Sequence, residues 1–370
     1  MKRFWQSNYF RVLAIFLVWV VFVGCVITFS INKFTFTPTF PYYGNDLGTH
    51  YNRFFSTFAH FDGIHYLRIA SAGVYPDGGE VAFFPAYPFL IHGLINIGLD
   101  KLASGMLISL FSLVISLCIF VWIYPKSNWK LPLILLTFPM SFYFISVYTE
   151  SLFLLSFALM LYFVKQKKYY LAALAVALAT ATRFVGIGLV AYLVAAMWGK
   201  VDLKKIVAST LISISGLLAY MAYLWQSVGD ALAFIHVQPS FGMGRSGGEI
   251  VLLPQVIYRY AKMLLTADPS TILYWRAFAE ISLFGLIVFL LIKYYRDLTR
   301  PELWYTLTVL LIPTVSGTLS SYPRYAMAAI PLFALISGKF SNKSIIFIVT
   351  IQIIILFISI SLFTSGLFVA

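Results

Sequence analysis

The sequence predicts an all-α polytopic membrane protein of roughly eleven transmembrane helices, with a helical first outer loop and an outward-facing cavity. Three observations carry that expectation. Of the 370 residues, 61% are hydrophobic and only 11% charged, whereas soluble domains carry about 25% charged residues. The mean hydropathy is +0.89. The lysines and arginines also cluster between apolar runs in a pattern that places most of them on one side of a bilayer. The net charge of +13 would suggest nucleic acid for a soluble chain. In a membrane chain it reflects basic cytoplasmic loops, so membrane lipids are expected as partners and nucleic acid is not.

Lys2, Arg3 and Arg11 precede an apolar run over 12–31, long enough to span and without a small-residue cleavage site, so an uncleaved first helix with a cytoplasmic N-terminus is expected. Residues 32–101 then form the first extracytoplasmic segment. Within it, 83–99 contains Pro85, Pro88, His92, Gly93 and Asn96 and makes a poor helix for lipid. If it lies along the outer face, Lys126, Lys130, Lys165, Lys167, Lys168, Lys200, Lys204 and Lys205 all fall inside, as the positive-inside rule prefers. Spans are then expected at 102–124, 131–147, 151–164, 169–182, 184–198, 206–226, 271–292, 303–319, 325–338 and 344–364. Several are too short to cross alone. Their breaks, at Tyr148 to Glu150, at Arg183 and at Ser320 to Arg324, outline a cavity, since short helices are tolerated where protein and water fill the gap. The whole of 1–370 reads as one transmembrane unit. Its second large outer loop, 227–270, holds a G-M-G-R-S-G-G run around Arg245, which is either a phosphate nest or a mobile tip. An amphipathic surface helix is expected over 251–266, with Arg259 and Lys262 on its polar side.

The stretch that carries chemistry is A-H-F-D-G-I-H-Y-L-R-I-A-S-A-G-V-Y from Ala59 to Tyr75. It places Asp62, His65 and Arg68 close together in a very apolar chain. A helix over 63–72 is expected, stopped by Gly73, with Asp62 and His65 facing the same space. Asp62 then either caps that helix or serves as a reactive carboxylate at the membrane surface. Glu150 and Arg183 are ionisable groups at apolar spans, which default to function or to pairing with each other. Arg324 follows a proline at a helix start, as an interfacial anchor or as a guanidinium able to grip a phosphate. Asp62, His65, Asp77, Glu80 and Glu150 could assemble a divalent metal site, although no pair has a diagnostic spacing. Cys25 and Cys118 both fall in apolar runs, so no disulfide framework or zinc site is expected. One outer carboxylate with nearby arginines suits glycosyl transfer from a lipid phosphate. A phosphate leaves without protonation, so a single base for the acceptor hydroxyl is enough.

The motif H-F-D-G-I-H-Y-L-R-I-A-S-A-G-V-Y, followed by F-F-P-A-Y-P, resembles the W-D-x-x-W-Y-L-x-I-A-x-x-G-Y and F-F-P-x-Y-P signature of the PIG-V mannosyltransferases of the GT-C superfamily. Further matches follow in order: F-P-M-S-F-Y-F-I-S-V-Y-T-E-S at 138–151, T-R-F-V-G at 182–186 and S-Y-P-R-Y at 321–325. The resemblance implies a GT-C-like bundle and an inverting transferase that moves a sugar, typically mannose, from a polyprenyl- or dolichyl-phosphate donor to a lipid-linked or glycan acceptor. Asp62 matches the acidic position where the superfamily places its base, and Glu150 and Arg324 match polar positions at the same cavity. His65, Tyr66, Arg68, Glu150, Arg183, Arg245, Arg324 and Tyr325 are the candidates to bind substrate. Phe61 and His65 stand where the usual motif has tryptophans. The expected location is the plasma membrane of a prokaryote or the endoplasmic reticulum of a eukaryote, with the site extracytoplasmic. A lipid or polyprenol-phosphate transporter, or a non-catalytic partner subunit, are the competing expectations.

Overall fold

The computed structural model describes residues 2–75 and 78–369, whose regular structure is all helical, with no strand among them. Five helices are long and apolar enough to cross a bilayer: Asn8–Lys33 within α1 (Lys2–Lys33), α5 (Lys101–Ile123), α10 (Leu203–Val228), Ile272–Asp297 built on α13 (Ile272–Tyr294), and α17 (Asn342–Thr364). These correspond to five of the expected spans. The remaining six are shorter or broken. They contain α6 (Lys130–Thr137), α7 (Glu150–Lys165), α8 (Tyr169–Thr180), α9 (Ile187–Met197), α14 (Arg300–Leu311) and the pair formed by α15 (Tyr322–Ala326) and α16 (Ile330–Lys339). A helix of about 12 residues rises about 18 Å against a hydrocarbon core of about 30 Å, so most of these helices fall well short of that thickness.

The helix ends follow local chemistry. Asp100 caps α5 by accepting from the Ala103 N–H at 2.9 Å, and Ser341 caps α17. Thr299 and Glu302 form a reciprocal capping box on α14, satisfying donors that the first turn leaves open. Close packing then depends on small residues. A methyl placed on Gly216 of α10 would sit 2.1 Å from the Ala177 carbonyl oxygen of α8, so these two backbones touch. Ser109, Ser112 and Ser116 are buried along α5, and the Ser109 hydroxyl donates to the Ser146 carbonyl at 2.8 Å.

Residues 32–101 fold over one end of this bundle. They contain α2 (Arg53–Ser56), α3 (Asp62–Ala72) and α4 (Ala86–Asn96). The last of these covers part of 83–99, packs on α3 and α5 and has 11 residues. Gly73, at φ 70, ends α3 in the left-handed conformation, as expected of a C-terminal glycine. Residues 227–270 form α11 (Ala233–His236), a glycine-rich loop and α12 (Leu253–Thr266), which packs on α13. The expected amphipathic helix is thus present. Its Arg259 is exposed, as expected of the polar side, and also donates to the carbonyls of Gly244 and Gly317.

Candidate active site

Three chain breaks meet at the end of the bundle beneath α3. Glu150 opens α7, Arg183 sits in an extended residue between α8 and a short 3-10 turn, and Arg324 lies in α15. With Asp62 at the start of α3 they form one continuous polar chain. Arg324 Nη1 donates to Asp62 Oδ2 at 2.7 Å. Its Nε and Nη2 donate to Glu150 Oε1 at 3.0 and 2.9 Å, and Arg183 Nη1 donates to the same oxygen at 2.8 Å. The Arg324 guanidinium also lies 4.8 Å from the ring centres of both Tyr143 and Tyr148, while Arg183 lies over the Tyr325 ring at 5.1 Å. Two cations and two carboxylates therefore balance in a mostly buried cluster, the condition under which such charges are tolerated.

The backbone that presents these groups is strained. Phe61, immediately before Asp62, has φ 54 and ψ −117, and Ser321, which precedes α15, has φ 65. For a bulky residue such as phenylalanine a positive φ is an outlier that the surroundings must enforce. They do so through aromatic packing: the Phe61 ring lies 4.5 Å from Phe40 and 5.4 Å from both Phe363 and Phe368. This arrangement corrects the capping alternative for Asp62. The helix is preceded by Phe61, which offers no side-chain cap, and Asp62 is the first helical residue, its carboxylate turned to Arg324.

Asp62 is the exposed member of the chain. Its side chain keeps 28% of its surface open, against 2% for Glu150 and 7% for Arg324. Burial pushes the Asp62 carboxyl up, but the Arg324 guanidinium, helped by His65 and Arg245, outweighs it and holds the group below the usual carboxylate value. Oδ1 has no hydrogen-bond partner among the described residues, and Asp62 lines a cavity of about 510 Å³. Tyr66, Arg183, Arg245, Arg324 and Tyr325 line the same space. Its apolar wall includes Phe84, Phe184, Val185, Phe234 and Ile312. Arg245 donates at 3.2 Å to Gln238 and at 3.4 Å to Ser321 and has no carboxylate partner among the described residues.

Of the candidates from sequence, Asp62, Tyr66, Arg183, Arg245, Arg324 and Tyr325 are brought together, and Glu150 lies directly behind them. His65 and Arg68 are not at the cavity wall, which corrects the expectation that His65 shares the space of Asp62. Positions three and four residues on both return to the side of Asp62, but Tyr66 takes the place at the cavity while His65 is drawn to Glu80. His65 and Arg68 instead bond the buried Glu80, at 3.3 and 2.7 Å, and Arg68 also reaches Asp46 at 3.2 Å. Arg324 does not present a free fork for phosphate, because its Nε and both terminal nitrogens already bond the two carboxylates. The metal candidates are not gathered: among the described residues no group of three or more His, Cys, Asp or Glu side chains is placed to hold an ion, and Asp77 lies outside the described residues. Sequence reasoning missed Arg276 and Glu280 on α13, although ionisable residues inside an apolar helix are a readable signal.

No family model matches the chain, and no curated protein matches it either.

Proposed function

We propose that this chain is an integral-membrane, inverting glycosyltransferase of the PIG-V kind within the GT-C superfamily, moving mannose from a polyprenyl- or dolichyl-phosphate carrier to a hydroxyl of a lipid-linked or glycan acceptor. The observation that carries the reading is one carboxylate, Asp62, fixed through Oδ2 to Arg324 while its residue faces a cavity that pairs an apolar wall with Arg245, which bonds no carboxylate among the described residues. In this mechanism Asp62 Oδ1 takes the proton of the acceptor hydroxyl. The acceptor oxygen attacks the anomeric carbon from the face opposite the phosphate, and the bond from that carbon to the phosphate oxygen breaks. The lipid phosphate leaves as a dianion without needing a proton. Arg245 and the cavity-facing Arg183 stabilise that charge, and the apolar wall takes the first isoprene units. Arg324 keeps Asp62 ionised and aimed. The reaction is placed on the extracytoplasmic face because the basic loops fall on the other side under the positive-inside rule.

The test is reconstitution of the purified chain in liposomes with a mannose-labelled polyprenyl phosphate and a panel of glycan and lipid acceptors. The expected result is a new glycosidic product of inverted configuration together with free polyprenyl phosphate. Movement of the labelled lipid between leaflets with no product would replace this reading with a transporter.

A further inference from the structure

Arg245 belongs to a loop, 242–248, and a second loop, 317–321, leads into the α15 helix that carries Arg324; neither loop is helical. Both hang from a single turn of α12. Arg259 Nη1 donates to the Gly244 carbonyl at 2.9 Å and to the Gly317 carbonyl at 2.6 Å, one guanidinium nitrogen tying the two loops together. The next residue, Tyr260, is buried. Its hydroxyl accepts the Leu319 N–H at 3.0 Å, lies 3.3 Å from Thr318 Oγ1 and donates to Glu280 of α13.

The loops are shaped for this turn. Gly244 and Gly317 adopt φ values of 68 and 88, in the left-handed region, which glycine enters at no steric cost. A methyl on Gly244 would lie 2.8 Å from Arg259 Nη1, and one on Gly317 would lie 3.0 Å from Val251. Backbone bonds from Ser246 N to the Ser316 carbonyl, at 2.8 Å, and from Val251 N to the Val315 carbonyl, at 3.0 Å, run alongside. Arg245 in turn reaches Ser321.

We propose that Arg259 and Tyr260 are positioning residues, a bracket on α12 that sets the two cavity loops in register: Arg259 fixes the loop that presents Arg245, and Tyr260, backed by Glu280, fixes the loop that leads into Arg324. The division of labour rests on the transferase reading above, whereas the bracket itself is a statement about the loops. On that reading Arg259 acts on donor binding and Tyr260 on turnover, because Arg245 faces the phosphate and Arg324 aims Asp62.

The experiment compares wild type with Arg259→Ala, Arg259→Lys, Tyr260→Phe and, as control, Lys262→Ala, which lies on the exposed side of the same helix. Amide hydrogen exchange is read first, on the full chain in detergent or nanodisc, because it does not depend on activity. Exchange over 242–248 and 317–319 is expected to speed up by about tenfold or more in Arg259→Ala, the scale of one lost charge-assisted bond. Arg259→Lys should recover part of that protection. Tyr260→Phe keeps the buried ring and is expected to affect 317–319 alone, and Lys262→Ala neither loop. Unchanged exchange in Arg259→Ala and Tyr260→Phe, or equal acceleration in Lys262→Ala, overturns the bracket. Kinetics are read second: Arg259→Ala should raise the KM for the mannosyl lipid about tenfold with little change in kcat, and Tyr260→Phe should lower kcat, each being the size of one such bond. Failure of the wild type to transfer sugar or bind polyprenyl phosphate would remove the transferase reading while the exchange data still decide the bracket.

Discussion

Replacing Glu150 with Gln should destabilise the protein through its arginines rather than through the lost carboxylate itself. Glu150 Oε1 accepts from three guanidinium nitrogens of Arg183 and Arg324, and the side chain is 2% exposed. The substitution leaves the amide oxygen as an acceptor but removes the charge, so two arginines then face only Asp62. Breaking a buried pair costs about 3–5 kcal/mol. The lower end applies because Arg183 is 14% exposed and borders the cavity. A loss of about 3 kcal/mol corresponds to a fall in melting temperature of roughly 5 °C in a chain of this size. The assay is thermal unfolding in detergent, run as a double-mutant cycle with Arg183→Met. Removing the adjacent arginine should restore part of the loss, giving a coupling of at least about 1 kcal/mol. If the two substitutions simply add to within about 0.5 kcal/mol, Glu150 and Arg183 do not interact and the polar chain is wrongly drawn.

Other perturbations have signs that follow from single positions. His60 is fully buried. Burial pushes its imidazole down to about 4 from 6.5, against the opposing bond to the Phe363 carbonyl and with a small push from Arg53. Its neutral form is therefore favoured in the folded state, so the stability it confers is complete above pH 6.5 and is lost as pH falls toward 4, by about 3 kcal/mol. Melting temperatures measured across that range should show a loss that is smaller in His60→Gln. Lys167 is exposed with φ 58, so Lys167→Gly should raise stability by about 1 kcal/mol through relief of backbone strain, and an unchanged or lower melting temperature would count against the turn. Gly216→Ala should fail to give a monodisperse folded protein, because its methyl would force α10 from α8; a normal size-exclusion profile with wild-type melting would contradict that packing.

Much of the site was legible because its groups break rules. Asp62, Glu150, Arg183 and Arg324 are charges in an apolar chain, and each lies at a helix end marked by glycine, proline or a polar run, so both their importance and the breaks that bring them together could be read. What could not be read was how the charges pair. Sequence spacing cannot tell that Arg324, 262 positions from Asp62, would spend its guanidinium on two carboxylates, while Arg245 bonds Gln238 and Ser321. The rotation of His65 away from the cavity depends on Glu80, which lies 15 positions on in a short 3-10 helix and whose direction no local pattern fixes. The helix lengths inside the expected spans were hard to read for a related reason. Apolar runs such as 131–147 and 303–319 have the composition of spans, yet in the structure each is a short helix followed by a 3-10 turn, near Pro139 in the first run and Pro313 in the second. Arg259 is the exposed polar residue that periodicity predicts, but periodicity reports the face of a helix and not the loop carbonyls that the side chain meets.

The measurement that bears most directly on the whole proposal is single-turnover transfer of mannose from the labelled polyprenyl phosphate by Asp62→Asn, with donor binding followed in parallel. Asparagine keeps the shape and can still accept from Arg324, but it cannot take a proton. The expected result is donor binding close to that of the parent protein and a transfer rate lower by about 10²-fold or more, the usual weight of a general base. The parent rate should also hold steady from pH 7 to 5, since Arg324 keeps the Asp62 carboxyl below its ordinary value. Transfer by Asp62→Asn at the parental rate would mean that the reaction centre lies elsewhere in the molecule.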